Sequence, residues 1–137
     1  MKRTILVDMS ATLIHHGHIR LLKKANEFGK VLVALTSDEE IIKYKGYQPE
    51  LNYEHRKEIL ESIIYVYKVI ESPWLIDNKF FEETGADLLI HGDDNSNEID
   101  KDKLILFNRT KGISSSLIRS RVARTILMKA GLDFRFD

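Results

Sequence analysis

Five short apolar runs, separated by stretches with helical periodicity, constrain the fold of this chain more than any other feature. They are residues 4–7 (Thr-Ile-Leu-Val), 31–35 (Val-Leu-Val-Ala-Leu), 66–70 (Val-Tyr-Lys-Val-Ile), 87–90 (Asp-Leu-Leu-Ile) and 104–107 (Leu-Ile-Leu-Phe). Most are continuous rather than alternating, as in strands of a parallel sheet covered on both faces. Between them, residues 18–29 set Ile19, Leu22 and Ala25, or His18, Leu21, Leu22 and Ala25, on one stripe, and Gly29 reads as the stop. Residues 53–64 and 77–84 predict further helices, the second opened by Asp77 and closed before Gly85. A last helix starts at Ser114 or Ser115 and runs to about Ala130, ahead of Gly131. This alternation predicts an α/β fold. It is a doubly wound, mostly parallel five-stranded sheet with helices on both faces and right-handed crossovers. The polar stretches 43–52 and 93–102 read as two long loops.

A chain of 137 residues is one domain of ordinary size, so residues 1–137 are read as a single unit. Lys and Arg number 21, as do Asp and Glu, so no overall field recruits nucleic acid or an anionic membrane. The chain has no cysteine, which excludes a disulfide scaffold, a thiolate metal site and a cysteine nucleophile. No stretch approaches the ~18 apolar residues of a membrane span. A cytoplasmic protein is the expectation.

The chemistry is concentrated in two segments. His15-His16-Gly17-His18 stands between the end of the first strand and the start of the first helix. Backbone amides and the helix dipole favour an anion at such a corner by a few tenths to ~1 kcal/mol. Gly17 lets the backbone approach closely, and the imidazoles donate to charge that grows on phosphorus. Far downstream, Arg109-Thr110-Lys111-Gly112-Ile113-Ser114-Ser115-Ser116 repeats the logic, with basic residues, a glycine and hydroxyls before another helix. Ligands in open parallel sheets bind beyond the carboxyl ends of strands. The loops leaving those ends begin here at Asp8, Thr36, Gly92 and Asn108.

Taken with Thr36-Ser37-Asp38-Glu39, Tyr53-Glu54-His55-Arg56 and Gly92-Asp93-Asp94, these motifs resemble those of the HxGH nucleotidyltransferase superfamily. The likeness is to its cytidylyltransferase branch, the glycerol-3-phosphate enzymes and those of phosphonate metabolism, and it spans residues 3 to about 121. The resemblance implies a Rossmann-like nucleotidyltransferase fold. It implies attack of a phosphate or phosphonate oxygen of a small acceptor on the α-phosphorus of CTP, with release of pyrophosphate. By this likeness His15, His18, Lys45 (with Lys43 as alternate) and Arg109 are the catalytic residues. Met9, Ser10, Gly17, Gly92, Asp93, Asp94, Thr110, Ile113, Ser114 and Ser115 would bind the nucleotide. Mg²⁺ would arrive bound through the CTP triphosphate with no protein metal ligand, and the enzyme would be a homodimer.

Plainer roles stand beside these. Lys43 and Lys45 fit solvated loop charges, Ser114 and Ser115 fit helix caps, and Asp93 and Asp94 fit turn formers. Arg56 fits an ion pair with Glu54 or Glu58. Trp74 and Phe80-Phe81 read as core or interface. The chain departs from the resembled pattern at Thr12, where an aspartate is usual, and at Asn95, where a tryptophan is usual. Ile64 and Tyr67 replace charges often found at the family's dimer contact. Adenylyl transfer and an inactive nucleotide-binding regulator are the alternative readings.

Overall fold

The computed structural model describes residues 3–92 and 97–132. Strands β1 (Thr4–Met9), β2 (Lys30–Thr36), β3 (Val66–Ser72), β4 (Leu88–Gly92) and β5 (Leu104–Phe107) form one sheet in the order β3-β2-β1-β4-β5. Every pairing is parallel. Helices α1 (His16–Asn26), α2 (Asp38–Lys45), α3 (Tyr53–Glu61), α4 (Asn78–Thr84) and α5 (Ser115–Lys129) fill the connections and the C-terminal part.

Alternation along the strands divides the core between two faces. Ile5, Val7, Val31, Val33 and Leu35 pack with Leu22 and Ala25 of α1 and Leu60 of α3. Leu6, Leu32, Ala34 and Leu89 pack on the other face with Ile76, Ile99 and Phe81 of α4. Both sides of the central strands are buried, which is why their sequences run apolar without a break.

The elements differ from the sequence reading in several places. Residues 43–45 belong to α2 rather than to a loop, because Ser37 caps a helix that Asp38, Glu39 and Glu40 open. Only Ile41 of this helix is buried, so no apolar stripe announced it. The loop proper begins at Gly46, whose φ of 78° ends the helix in the left-handed region. Second, α1 stops at Asn26, before Gly29. Gly29 instead lies where β2 begins, and a Cβ there would fall 2.3 Å from the Arg3 carbonyl oxygen. It is needed for close approach of two backbones. Third, a short 3₁₀ turn, Lys101–Lys103, begins at the end of the stretch 93–102.

Candidate active site

The carboxyl ends of β1, β2, β4 and β5 open onto a pocket of about 620 Å³. Among the residues foreseen for the site, His15, His18, Lys45, Arg109, Met9, Ser10, Gly17, Gly92, Thr110, Ile113, Ser114 and Ser115 all line it. Asp93 and Asp94 lie outside the described residues, as does Asn95.

His15 is the N-cap of α1, and its ring does the work that serine or aspartate does elsewhere. Its Nδ1 accepts the Gly17 N–H at 3.0 Å, while the His15 N–H donates to Nδ1 of His18 at 3.1 Å. This is a reciprocal cap built from two imidazoles, whose centroids stand 4.0 Å apart. Because each Nδ1 accepts a backbone proton, each neutral ring carries its own proton on Nε2. Burial, followed by the charges of His15 and Arg109, pushes His18 down to about 3. Burial, then His16 and Arg109, lowers His15 as well. The rings are therefore uncharged Nε2–H donors. The Gly17 requirement follows from the same geometry. A Cβ there would stand 2.8 Å from Cε1 of His15, so the glycine makes room for the capping ring.

The second corner is the start of α5. Ser114 caps the helix by accepting the Leu117 N–H at 3.0 Å. The Ser115 hydroxyl donates to the Leu13 carbonyl at 2.9 Å and receives the Leu13 N–H at 3.3 Å. Both hydroxyls are thus engaged within the protein, and the first-turn N–H groups of α5 other than that of Leu117 remain the helix's natural anion donors. Neither α1 nor α5 has an acidic residue at its N-cap or in its first turn, whereas α2 opens on Asp38, Glu39 and Glu40, α3 carries Glu54 and α4 is capped by Asp77. The two helices that meet at the pocket are those whose positive ends are left for an outside anion.

Lys45, the last residue of α2, lines the pocket and Lys43 does not. The Lys45 ammonium lies 5.7 Å from the Trp74 ring centroid, and Trp74 stacks on Tyr44 at 5.3 Å. Trp74 is thus part of the pocket wall. Phe81 is core and Phe80 packs against it.

Arg56 is fully buried and pairs with neither Glu54 nor Glu58. Its guanidinium donates to the carbonyls of Leu51 (3.0 Å), Ser10 (2.7 Å) and Thr36 (2.9 Å), and to Asp38 Oδ1 (2.6 Å). It fastens the exits of β1 and β2 to the start of α2. Sequence reasoning also missed a polar network in the pocket floor. Asp8 Oδ1 meets His91 Nδ1 at 2.5 Å, and its Oδ2 accepts the Asn97 amide at 2.8 Å. Asn97 in turn accepts the Ile76 N–H at 2.7 Å. No local signal announced it: Asp8 and His91 follow Val7 and Ile90, which only the pairing of β1 with β4 makes neighbours. Between β1 and the histidines, Ala11 is held at φ 47°, a strained conformation for a residue with a side chain. Thr12 is buried beside it.

Comparison with known proteins agrees with this geometry. The family model described as cytidylyltransferase-like matches residues 10–121. The glycerol-3-phosphate cytidylyltransferase of Staphylococcus aureus is 38% identical over 89% of this chain and 96% of its own length. The enzyme of that name from Bacillus subtilis is 37% identical over 81% of this chain and 90% of its own. The ethanolamine-phosphate cytidylyltransferase of Dictyostelium discoideum is 30% identical over 86% of this chain, which spans only 36% of that longer protein. Among solved structures, a lipopolysaccharide core biosynthesis protein from Thermoplasma volcanium superposes with a TM-score of 0.68 at 16% identity, over 81% of this chain and all of its own, a likeness of fold. The chain belongs to the cytidylyltransferase-like family, and it is a nucleotidyltransferase of the cytidylyltransferase branch.

Proposed function

We propose that this enzyme transfers CMP from CTP to a small phosphate-bearing acceptor and releases pyrophosphate, with glycerol 3-phosphate as the first acceptor and short phosphonates as the next. The observation that carries the reading is the convergence of His15, His18, Arg109 and the start of α5 on one pocket, with Lys45 also in its wall. Glycerol 3-phosphate comes first because the relatives matched over nearly their whole length bear its name.

The chemistry follows from the ionisation of the groups. A phosphate monoester is largely dianionic at pH 7 (second pKa about 6), so its oxygen attacks without a general base. The new bond joins that oxygen to the α-phosphorus, the bond to the bridging oxygen breaks, and the electron pair leaves with pyrophosphate. The protein has only to align the two anions and spread the charge that gathers on the phosphoryl oxygens. Neutral His15 and His18 donate Nε2–H to those oxygens without being required to give up a proton. Arg109 and the first turn of α5 hold the β- and γ-phosphates. Lys45 neutralises the α-phosphate or the incoming acceptor.

Among the described residues, no cluster of three or more His, Asp or Glu side chains is gathered to hold a cation. Imidazoles, hydroxyls and cationic groups prevail around the His15 and α5 corners. That donor set fits Mg²⁺ carried by the triphosphate itself, where it would offset charge on the leaving group. A homodimer is part of this reading, and Ile64 (87% exposed) and Tyr67 (63%) are apolar side chains free to enter such a contact. No described helix is long and apolar enough to cross a membrane, and a cytoplasmic location is part of this reading.

The test is pyrophosphate release with CTP or ATP, Mg²⁺ and a panel of glycerol 3-phosphate, ethanolamine phosphate and aminoalkyl phosphonates. Turnover is expected with CTP and a phosphate acceptor. Replacing His15 or His18 by Ala should lower kcat by about 10²–10³, the usual cost of losing a donor to the reacting oxygens. Absence of pyrophosphate with every acceptor, or preference for ATP, overturns the reading.

A further inference from the structure

Loop 46–52 joins Lys45 at the end of α2 to Asn52, the N-cap of α3. Arg56 holds its far end through the Leu51 carbonyl. A second arginine, Arg119 of α5, grips its middle. The Arg119 guanidinium donates through Nε to Glu50 Oε2 and through Nη2 to Glu50 Oε1 at 2.7 Å. It lies 4.6 Å from the Tyr47 ring centroid, and Nη2 also donates to the Thr12 hydroxyl at 3.2 Å. One side chain thus touches two loop residues and the buried residue that precedes Leu13.

The placement ties three parts of the site together. Arg119 stands one turn beyond Ser115, whose hydroxyl straps α5 to Leu13. The helix with its N-terminus at the pocket is therefore also the anchor for the loop that follows Lys45. Arg119, Glu50 and Tyr47 do not themselves line the pocket. An isolated, part-exposed ion pair contributes little. Here the fork is bidentate, the ring covers the guanidinium and a buried hydroxyl fixes its third side, so the geometry is over-determined.

We propose that Arg119 is a positioning residue: its clasp on Glu50 and Tyr47 holds loop 46–52 against α5 and so keeps Lys45 over the pocket. The inference rests on the role given above to Lys45. Thr12 gains a purpose in it. A hydroxyl here accepts from Arg119 while the carboxylate that balances the guanidinium is supplied by Glu50.

Arg119→Ala is expected to lower kcat/KM for the acceptor about tenfold, the scale of one lost charge-assisted bidentate contact. CTP affinity without acceptor should change less than about threefold, because the triphosphate corners stay intact. Arg119→Lys keeps the charge without the fork and should fall between. Glu50→Gln should act in the same direction, and the Arg119→Ala/Glu50→Ala pair should cost no more than Arg119→Ala alone. Amide hydrogen exchange gives a readout independent of turnover. Residues 46–52 should exchange at least about tenfold faster in Arg119→Ala, with β1 and β2 unchanged. Should Arg119→Ala fail to fold, Glu50→Gln carries both measurements. Unaltered exchange of the loop, or additive losses in the double variant, overturns the clasp. Faster exchange with unchanged acceptor kinetics overturns the positioning role. Undiminished turnover in Lys45→Ala overturns the role of Lys45 and leaves the clasp itself standing.

Discussion

At the scale of single residues, the site is governed by which nitrogen of each imidazole is occupied. The backbone fills Nδ1 of His15 and His18, and burial then makes the charged ring unfavourable. For His18 the folded value of about 3 lies below the ordinary 6.5. Between those two pH values the unfolded chain binds a proton that the folded chain refuses. Stability therefore falls as pH drops from 6.5 toward 3, by up to about 1.4 kcal/mol per pH unit from this one group. His18→Asn keeps an acceptor for the His15 N–H and removes the titration. Thermal melts of the ligand-free protein between pH 4 and pH 8 should show a shallower acid slope for the variant. Equal slopes would deny His18 its buried, neutral state. The identities of these residues were legible in the sequence, since a helix start and a glycine between imidazoles are local signals. Their mechanics were not. Gly17, read as letting the backbone approach closely, also makes room for the His15 ring, and the Ser115 hydroxyl faces Leu13.

At the scale of elements, the positions of the loops depend on buried polar fasteners more than on the helices that flank them. Arg56 stands on α3 yet donates to carbonyls at the exits of β1 and β2 and to the carboxylate that opens α2. Its removal strands several acceptors away from water. Arg56→Ala should cost about 3–5 kcal/mol, the range for breaking a buried, hydrogen-bonded charge, out of a total stability of about 5–15 kcal/mol. Arg56→Lys should recover only part, because one ammonium cannot span four oxygens in a plane. Urea denaturation followed by circular dichroism checks both. A loss below about 1 kcal/mol for Arg56→Ala would show that the fastener is dispensable. The strands and most helices were readable because their signals are local: continuous apolar runs, Asp77 and Ser114 as caps, Gly85 and Gly131 as stops. Helix α2 was missed because it buries a single residue and so leaves no periodic trace, although Ser37 ahead of three acids marked its start. The partner of Arg56 was missed because Asp38 is 18 residues away in the chain.

At the scale of the whole molecule, the sheet order β3-β2-β1-β4-β5 places β1 at the centre. The chain leaves β1 into the histidine corner, and it leaves edge strand β5 into Arg109 and α5. The doubly wound fold was legible, and so was the rule that strand exits form the pocket. The Asp8–His91 contact was not, since it joins positions 83 apart that only strand pairing makes neighbours. The strap from Ser115 to Leu13 spans 102 positions, so a ligand seated in both corners should tighten the fold as a unit. CTP at about 100 times its Kd adds about 2.7 kcal/mol to folding stability. For a domain of this size that corresponds to a rise in Tm of about 8 °C, taking about 3 °C per kcal/mol. CMP, which lacks the β- and γ-phosphates proposed to bridge α1 and α5, should produce a clearly smaller rise at the same free concentration. Ser115→Ala removes the strap without touching either ring and should shrink the difference between the two nucleotides. Equal shifts for CTP and CMP at matched concentration would mean that the two corners do not share one polyphosphate, however close they lie in the folded chain.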